Sequence, residues 1–489
     1  MPDSDRTFSP DDFGKAFQAF LDHMRQWIPD DESKDLVSTH VREFMGGDLR
    51  NTHVVNETYP DRDLPNVHLA LERYLSQAGR TAALLGFAVE HDYLGDFSLS
   101  ALAANSPGRS FFGSNLRVGP VSYRNVDVGE GAHLQCIQWG MYLVQDQESR
   151  LVILVKGSAG RALSLRASVG LEVMAHDQAQ AERLLNDIRD LAHTVNIYRG
   201  RLISLAGGGF GEGAQITFAE IPDIARDEII LPAELLKRIE RNTLGFARQI
   251  ARLRAANRHI RRGVLFHGPP GTGKTLTAMY LAGQFKGERT VIMLSAQSLT
   301  LVREAVALAR TLSPAMIILE DVDLVAEERD LQTSMGSLMV LHDLLNEMDG
   351  LGTDADILFL LTANRPQVLE TALVNRPGRI DQAFEFDLPD YDARQRLFEL
   401  YSRGLNVQLE DPERLYQQTA GASPAFIREL LRKAALFASE ESDGPTLPAI
   451  TDRHIEEAMS ELVVVGGELT KSLLGATRLD KRQWTLAGG

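Results

Sequence analysis

The residues Gly268-Pro269-Pro270-Gly271-Thr272-Gly273-Lys274-Thr275 set three glycines, a lysine and a hydroxyl at the spacing a phosphate cradle needs. Glycines let successive backbone N–H groups turn inward around β- and γ-phosphates, and a helix N-terminus adds partial positive charge. Lys274 is placed to bridge β- and γ-oxygens, and the Thr275 hydroxyl to ligate Mg²⁺. The apolar run Gly263 to Phe266 precedes the loop, and an apparent helix at Thr277 to Leu281 follows it. That strand–loop–helix context is what the motif requires. The nucleotide-binding stretch is expected to run from Gly268 through Leu276, taking ATP or ADP with Mg²⁺.

A second group follows. Met316-Ile317-Ile318-Leu319-Glu320-Asp321 is an apolar run ending in two carboxylates. A buried strand can carry one acid to a metal and the next to an attacking water. Glu320 is expected on the metal side and Asp321 as the water-orienting acid. In isolation, a strand with a solvated acidic end would look the same; its position after a phosphate loop favours the catalytic reading. Asn364 closes the apolar run Ile357 to Thr362, where an amide can reach a γ-phosphate or the water. Arg376-Pro377-Gly378-Arg379 follows, and arginines on a rigid turn suit charge developing in phosphoryl transfer.

These residues need elements to hold them. Apolar runs at Gly263–Phe266, Thr290–Leu294, Ala315–Leu319 and Ile357–Leu361 alternate with helical stretches, the pattern of a parallel α/β sheet. The large ATPase domain is expected over 216–388 and a helical lid over 389–465, with N-caps at Ser423-Pro424 and Thr451. Residues 1–104 read as mostly helical, with Ser9-Pro10 opening a helix that carries Phe13, Phe17, Phe20 and Met24. Residues 105–205 read as a small α+β domain. There Leu163 to Val173 alternates apolar and polar as a half-buried strand. Leu134 to Val144 and Leu151 to Val155 supply further strands, and Asp177 caps a helix bearing Leu184, Ile188, Leu191 and Val195. The glycine tract in 206–215 reads as a flexible linker. A dinucleotide loop is the alternative, but no helical pattern opens after it. Residues 466–489 read as a loose tail.

With 51 Lys and Arg against 67 Asp and Glu, the formal charge of −16 disfavours non-specific binding to nucleic acid or anionic membrane. The single Cys136 excludes an internal disulfide and suggests a reducing cytoplasm. No apolar window is long enough to span a bilayer. Lys237 to Arg262 is rich in arginine, but lacks the interleaved aromatics of a single-strand platform. A solvated helix at a subunit interface fits it better. Trp139, Tyr142 and Cys136 read as core and sheet residues.

Taken together, these motifs resemble a AAA protein of the group that includes FtsH. Gly263-Val264-Leu265-Phe266-His267, Leu345-Asn346-Glu347-Met348-Asp349-Gly350, Thr362-Ala363-Asn364-Arg365-Pro366 and Arg376 to Asp381 carry the resemblance, which covers about 216–462. It implies a ring of six or seven identical subunits. It also implies that Asn364 acts as the sensor-1 residue, that Arg376 and Arg379 act as fingers into a neighbour's site, and that a lid helix from Ser423 lies near adenine. Three features depart from that group. The acid pair is Glu-Asp, not Asp-Glu; Ser295 to Pro314 is shorter and lacks the aromatic–apolar–Gly pore loop; one residue, Asn375, is extra. The first two also resemble the mitochondrial AAA translocase of the folded Rieske iron–sulfur protein, whose N-terminal membrane helix has no counterpart here. No His-Glu-x-x-His zinc motif occurs, so no FtsH-type protease site is expected. The expected activity is ATP hydrolysis that remodels, chaperones or translocates a protein recognised by residues 1–205. A slow nucleotide-dependent switch or scaffold is the alternative, and a nucleic-acid motor a lesser one.

Overall fold

A computed structural model describes residue 19 and residues 36–88, 97–104, 116–147, 149–157, 168–206, 215–324, 346–348, 355–365, 367, 380–441 and 448–465. The described chain divides into two units that meet in sequence between Ile197 and Tyr198.

The first unit contains α1 (Val37–Met45), β1 (His53–Pro60), α2 (Leu64–Leu75), β2 (Arg80–Phe87) and α3 (Leu99–Ala103). It continues through β3 (Val118–Gly119), β4 (Ser122–Asp127), β5 (His133–Asp146), β6 (Ser149–Lys156), β7 (Ser168–Ala175) and α4 (Gln178–Thr194). The strands form one antiparallel sheet in the order β1-β7-β6-β5-β2-β3, with β4 also paired to β5. One face packs on α2 and α4 through Val67, Leu71, Ile153, Leu171 and Ile188. The other packs on α1 and α3 through Val41, Leu99, Trp139, Leu154 and Met174.

This corrects the expected division at 104/105. Val55 of β1 pairs with Val173 and Leu84 of β2 pairs with Tyr142, so the described residues on both sides of that boundary build one sheet, and the region before it contributes two strands as well as helices. It also corrects the half-buried reading of β7. Both faces of the sheet are covered, so Glu172 and Met174 are buried beside Leu171 and Val173. The Glu172 carboxylate accepts the Leu99 N–H at 2.6 Å and pairs with Lys156. Asp177 caps α4 as expected, accepting the Ala179 N–H. Trp139, Tyr142 and Cys136 are all buried. The helix expected after Ser9 and the tail beyond 465 lie outside the described residues.

The second unit opens with β8 (Leu202–Ala206) and β9 (Gln215–Ala219), then α5 (Ala233–Glu240), a π turn (Arg241–Gly245) and α6 (Phe246–Ala255). The ATPase core follows: β10 (Arg262–His267), α7 (Lys274–Gln284), β11 (Thr290–Leu294), α8 (Val302–Thr311), β12 (Ala315–Leu319), β13 (Ile357–Ala363) and β14 (Gln382–Glu385). The sheet order is β14-β10-β13-β12-β11-β8-β9, and every pairing is parallel except β8 with β9. All five residues of β12 and all seven of β13 are buried, as continuous apolar runs in a sheet covered on both faces should be.

The glycine tract does not link two domains. Leu205 pairs with Ile216 across it and Ile292 of β11 pairs with Ile203, so the strands on either side of the glycines form a hairpin within the ATPase sheet. The dinucleotide reading falls as well, because a strand, not a helix, follows the glycines. The connection from β11 to β12 is a short 3-10 turn (Ala296–Leu301) and α8, with no aromatic residue.

The lid comprises α9 (Tyr391–Tyr401), α10 (Pro412–Gln418), α11 (Pro424–Glu440) and α12 (Asp452–Ser460) around Leu397, Phe426, Leu430, Ile450 and Met459. Ser423 caps α11 with Pro424 in its first turn, and Thr451 forms a capping box with His454. Among the described residues no helix is long and apolar enough to cross a membrane.

Candidate nucleotide site

Parallel strands deliver their carboxyl ends, and the loops after them, to one edge of a sheet. Here those ends carry Gly268, Glu320 and Asn364, which follow β10, β12 and β13. The loop after β10 is held between two neighbours. Gly268 has φ +141°, and a Cβ there would lie 2.2 Å from the Phe386 carbonyl oxygen beyond β14. Gly271 has φ +75°, and its Cβ would lie 2.8 Å from Ser423 Oγ and 2.9 Å from Ala425 Cβ in the lid. The lid helix therefore starts against the loop, and the Ala425 N–H donates to the Gly271 carbonyl at 3.2 Å.

Lys274 opens α7 and is buried. Its Nζ donates to the carbonyls of Gly268 and Pro269, both at 2.8 Å, so the lysine braces the loop it belongs to. Burial pushes its ammonium pKa down to about 8, against the opposing charges of Asp321 and Asp323. Thr275 and Leu276 are exposed at the start of α7, and the Thr272 hydroxyl bonds the Pro269 carbonyl at 2.9 Å.

The acid pair sits where β12 ends. Glu320 is anchored by its N–H on the Leu294 carbonyl at 2.9 Å, and its buried Oε1 has no hydrogen-bond partner. Asp321 has φ +50°, a left-handed conformation uncommon outside glycine and most tolerated by Asn and Asp. Its N–H donates to Thr362 Oγ1 at 3.0 Å, and the next amide, Val322, donates to the Thr362 carbonyl at 3.0 Å. Asn364 Nδ2 donates to Asp321 Oδ1 at 2.9 Å. The structure thus brings together Lys274, Asp321 and Asn364. Arg376 and Arg379 lie outside the described residues, as does Asn375.

Two residues were missed from the sequence. Thr362 holds the Asp321 backbone. Asp323, 1% exposed, accepts the N–H of Asn364 and of Arg365, each at 3.1 Å. The available signal was a third acid, two residues past the pair.

The arginine-rich stretch is partly tied down. Arg262 faces Asp381 at 4.0 Å, Arg261 donates to the Met348 carbonyl at 2.9 Å, and Arg238 lies over the Phe384 ring.

The donor set fits a magnesium nucleotide. Positive-φ glycines free loop N–H groups for phosphate oxygens, Lys274 supplies a buried cation, and the unpartnered Glu320 Oε1 with the Thr275 hydroxyl supplies hard oxygen ligands.

Residues 264–388 match the family described as the ATPase family associated with various cellular activities (AAA). The chain is 32% identical over 276 residues to the ATP-dependent zinc metalloprotease FtsH 1 of Methylacidiphilum infernorum, covering 54% of this chain and 41% of that one. It is 34% identical over 228 residues to the mitochondrial inner membrane m-AAA protease component YTA10 of Saccharomyces cerevisiae, covering 43% of this chain and 29% of that one. An FtsH of Rhodococcus erythropolis is 34% identical over 238 residues, covering 46% and 27%. The chain thus spans less than half the length of each of these relatives. A core of this family uses ATP or ADP and Mg²⁺, in keeping with the donor set. The ATPase part of the chain belongs to the AAA family, with an FtsH-like core.

Proposed function

We propose that this chain hydrolyses Mg-ATP within a ring of identical subunits and uses the cycle to remodel or move a protein substrate recognised by the first unit. The observation that carries the hydrolytic part is the Asp321 carboxylate, held at 2.9 Å by the Asn364 amide next to the phosphate loop. In this reading the loop amides and Lys274 bind and orient the phosphates. Thr275 and Glu320 hold Mg²⁺, which when bound neutralises charge on the phosphate oxygens. Asp321 accepts hydrogen bonds from the attacking water and takes up its proton, while Asn364 keeps that carboxylate aimed. The lid bears on the loop at Gly271, whose carbonyl accepts the Ala425 N–H.

The AAA core supports the ring. The β11–β12 connection, which carries no aromatic residue, favours folded cargo or whole complexes over a threaded chain. No protease activity is proposed for this sequence, which contains no His-Glu-x-x-His. Asp321 also favours a second reading, a slow nucleotide switch. Its side chain is one methylene shorter than the glutamate that the resemblance places there.

The test is phosphate release by the full chain, with light scattering to size the assembly. Asp321→Asn is expected to bind ATP, assemble and lose turnover by about a hundredfold or more. Lys274→Ala is expected to bind no nucleotide. The Asp321→Asn protein, loaded with ATP, should retain defined proteins that Lys274→Ala does not. Wild-type turnover no faster than that of Asp321→Asn would remove the hydrolytic reading and leave the switch.

A further inference from the structure

We propose that Asp323 is a positioning residue for hydrolysis: its carboxylate fixes the turn that carries Asn364, and through Asn364 it aims the Asp321 side chain. The inference rests on the hydrolytic reading above and names a residue outside the phosphate loop and the acid pair.

The geometry is a closed circuit between two strand ends. β12 runs out into Glu320-Asp321-Val322-Asp323, and β13 into Thr362-Ala363-Asn364-Arg365. Two contacts tie the backbones: Asp321 N–H to Thr362 Oγ1 and Val322 N–H to the Thr362 carbonyl, both 3.0 Å. Asp323 then reaches across with both oxygens. Oδ1 accepts the Asn364 N–H and Oδ2 the Arg365 N–H, each at 3.1 Å. The circuit closes when Asn364 Nδ2 donates to Asp321 Oδ1 at 2.9 Å. Two adjacent N–H groups pointing the same way form a small anion nest, and one carboxylate fills it.

The chemistry of Asp323 is specific to a carboxylate. An aspartate is acceptor-only, with an oxygen for each N–H, whereas the same-shaped asparagine has one acceptor and sets its NH₂ against the second N–H. At 1% exposure no water can replace the lost acceptor. The turn must then rotate, and Asn364 with it. Asp321 has little freedom to follow, because its backbone is already held at φ +50°.

A competing role is purely electrostatic, since Asp323 is one of the two carboxylates that raise the charge affinity of buried Lys274. The two roles predict different kinetics. A partner of Lys274 affects nucleotide binding; a positioner of Asn364 affects the hydrolytic step.

The experiment compares wild type, Asp323→Asn, Asn364→Ala and the double variant, as full chains. It measures kcat and KM for phosphate release, titration with a fluorescent ADP, and thermal unfolding. The expected result is a 10- to 100-fold loss of kcat for Asp323→Asn, the scale of a misplaced catalytic group, with ADP affinity preserved and unfolding still cooperative, at a temperature lowered by the one unsatisfied buried amide. In the Asn364→Ala background the same change should have no further effect, because residues acting in series are not additive. Equal losses in both backgrounds, or a loss of ADP affinity with kcat preserved, would overturn the proposal. Should Asp323→Asn not fold, amide hydrogen exchange on the wild-type chain decides. The Asn364 and Arg365 amides should be protected without nucleotide, and exchange at open-loop rates would overturn it. A wild type with no turnover but protected amides would instead count against the hydrolytic reading and leave the Asp323 clamp standing.

Discussion

Gly271→Ala tests whether the lid rests on the phosphate loop. At φ +75° an alanine is strained by about 1–2 kcal/mol. Its Cβ would also lie 2.8 Å from Ser423 Oγ and 2.9 Å from Ala425 Cβ, both inside van der Waals contact. Ser423 cannot rotate away freely, because its Oγ accepts the Phe426 N–H at 3.2 Å as the cap of α11, and losing such a cap costs about 1 kcal/mol. If the helix retreats instead, the 3.2 Å bond from Ala425 N–H to the Gly271 carbonyl breaks, for a similar loss. The total is about 2–3 kcal/mol. Gly273→Ala is the control: φ is +95°, but nothing lies within 4 Å of its Cβ, so only the backbone cost of about 1–2 kcal/mol applies. The difference of about 1 kcal/mol belongs to the lid contact, and is a factor of about five. Amide hydrogen exchange in the first turn of Pro424–Glu440, on nucleotide-free protein, reads it locally. Gly271→Ala should speed exchange there by about that factor over Gly273→Ala. If the two variants exchange alike in α11, the lid does not bear on Gly271 and the reasoning fails.

Lys274 has its pKa depressed to about 8, so between pH 8 and its unfolded value the folded, nucleotide-free state binds fewer protons. Wild-type stability should therefore gain on that of Lys274→Met as pH rises through that window, and a constant difference in denaturant midpoint would contradict it. For the same reason ADP affinity should weaken above about pH 8, where titration calorimetry should find proton uptake on binding. Thr362→Val removes the acceptor of the Asp321 N–H and should slow phosphate release by about tenfold at unchanged ADP affinity, with Thr362→Ser restoring it. Equal rates for the two would show that the hydroxyl is not what holds the backbone. Glu320→Gln should raise the Mg²⁺ concentration for half-maximal turnover by about tenfold or more, while leaving magnesium-free stability nearly unchanged, since Glu320 Oε1 has no partner to lose. An unaltered Mg²⁺ requirement would take the metal role from Glu320.

The nucleotide site was legible where its chemistry is local. The phosphate loop, the apolar strand before Glu320-Asp321 and the amide after Ile357–Thr362 are short segments whose order alone brings them to one sheet edge. Asp323 was not legible, because its role is a contact with Asn364 on a different strand, and nothing within its own stretch shows which amides it meets. The same limit explains the first unit. His53–Pro60 and Arg80–Phe87 become strands by pairing with β7 and β5 far along the chain, partners that nothing in their own short stretches names. Glu172 misled in another way: a polar residue on an alternating strand suggests solvent, yet here it is satisfied inside by Leu99 and Lys156.

The hairpin of β8 and β9 bears on how the chain can be cut. Arg201 accepts the Val291 N–H at 2.9 Å, and Ile203 lies in register with Ile292, so β8 covers the flank of β11. A fragment begun after the glycines, at residue 216, would keep β9 without its partner and bare a row of backbone donors and acceptors along β11. Such a bared strand edge is a template for chain-to-chain pairing. Cutting before Tyr198 keeps the flank covered, so precipitation of the shorter piece would report a missing strand, not a requirement for the first unit.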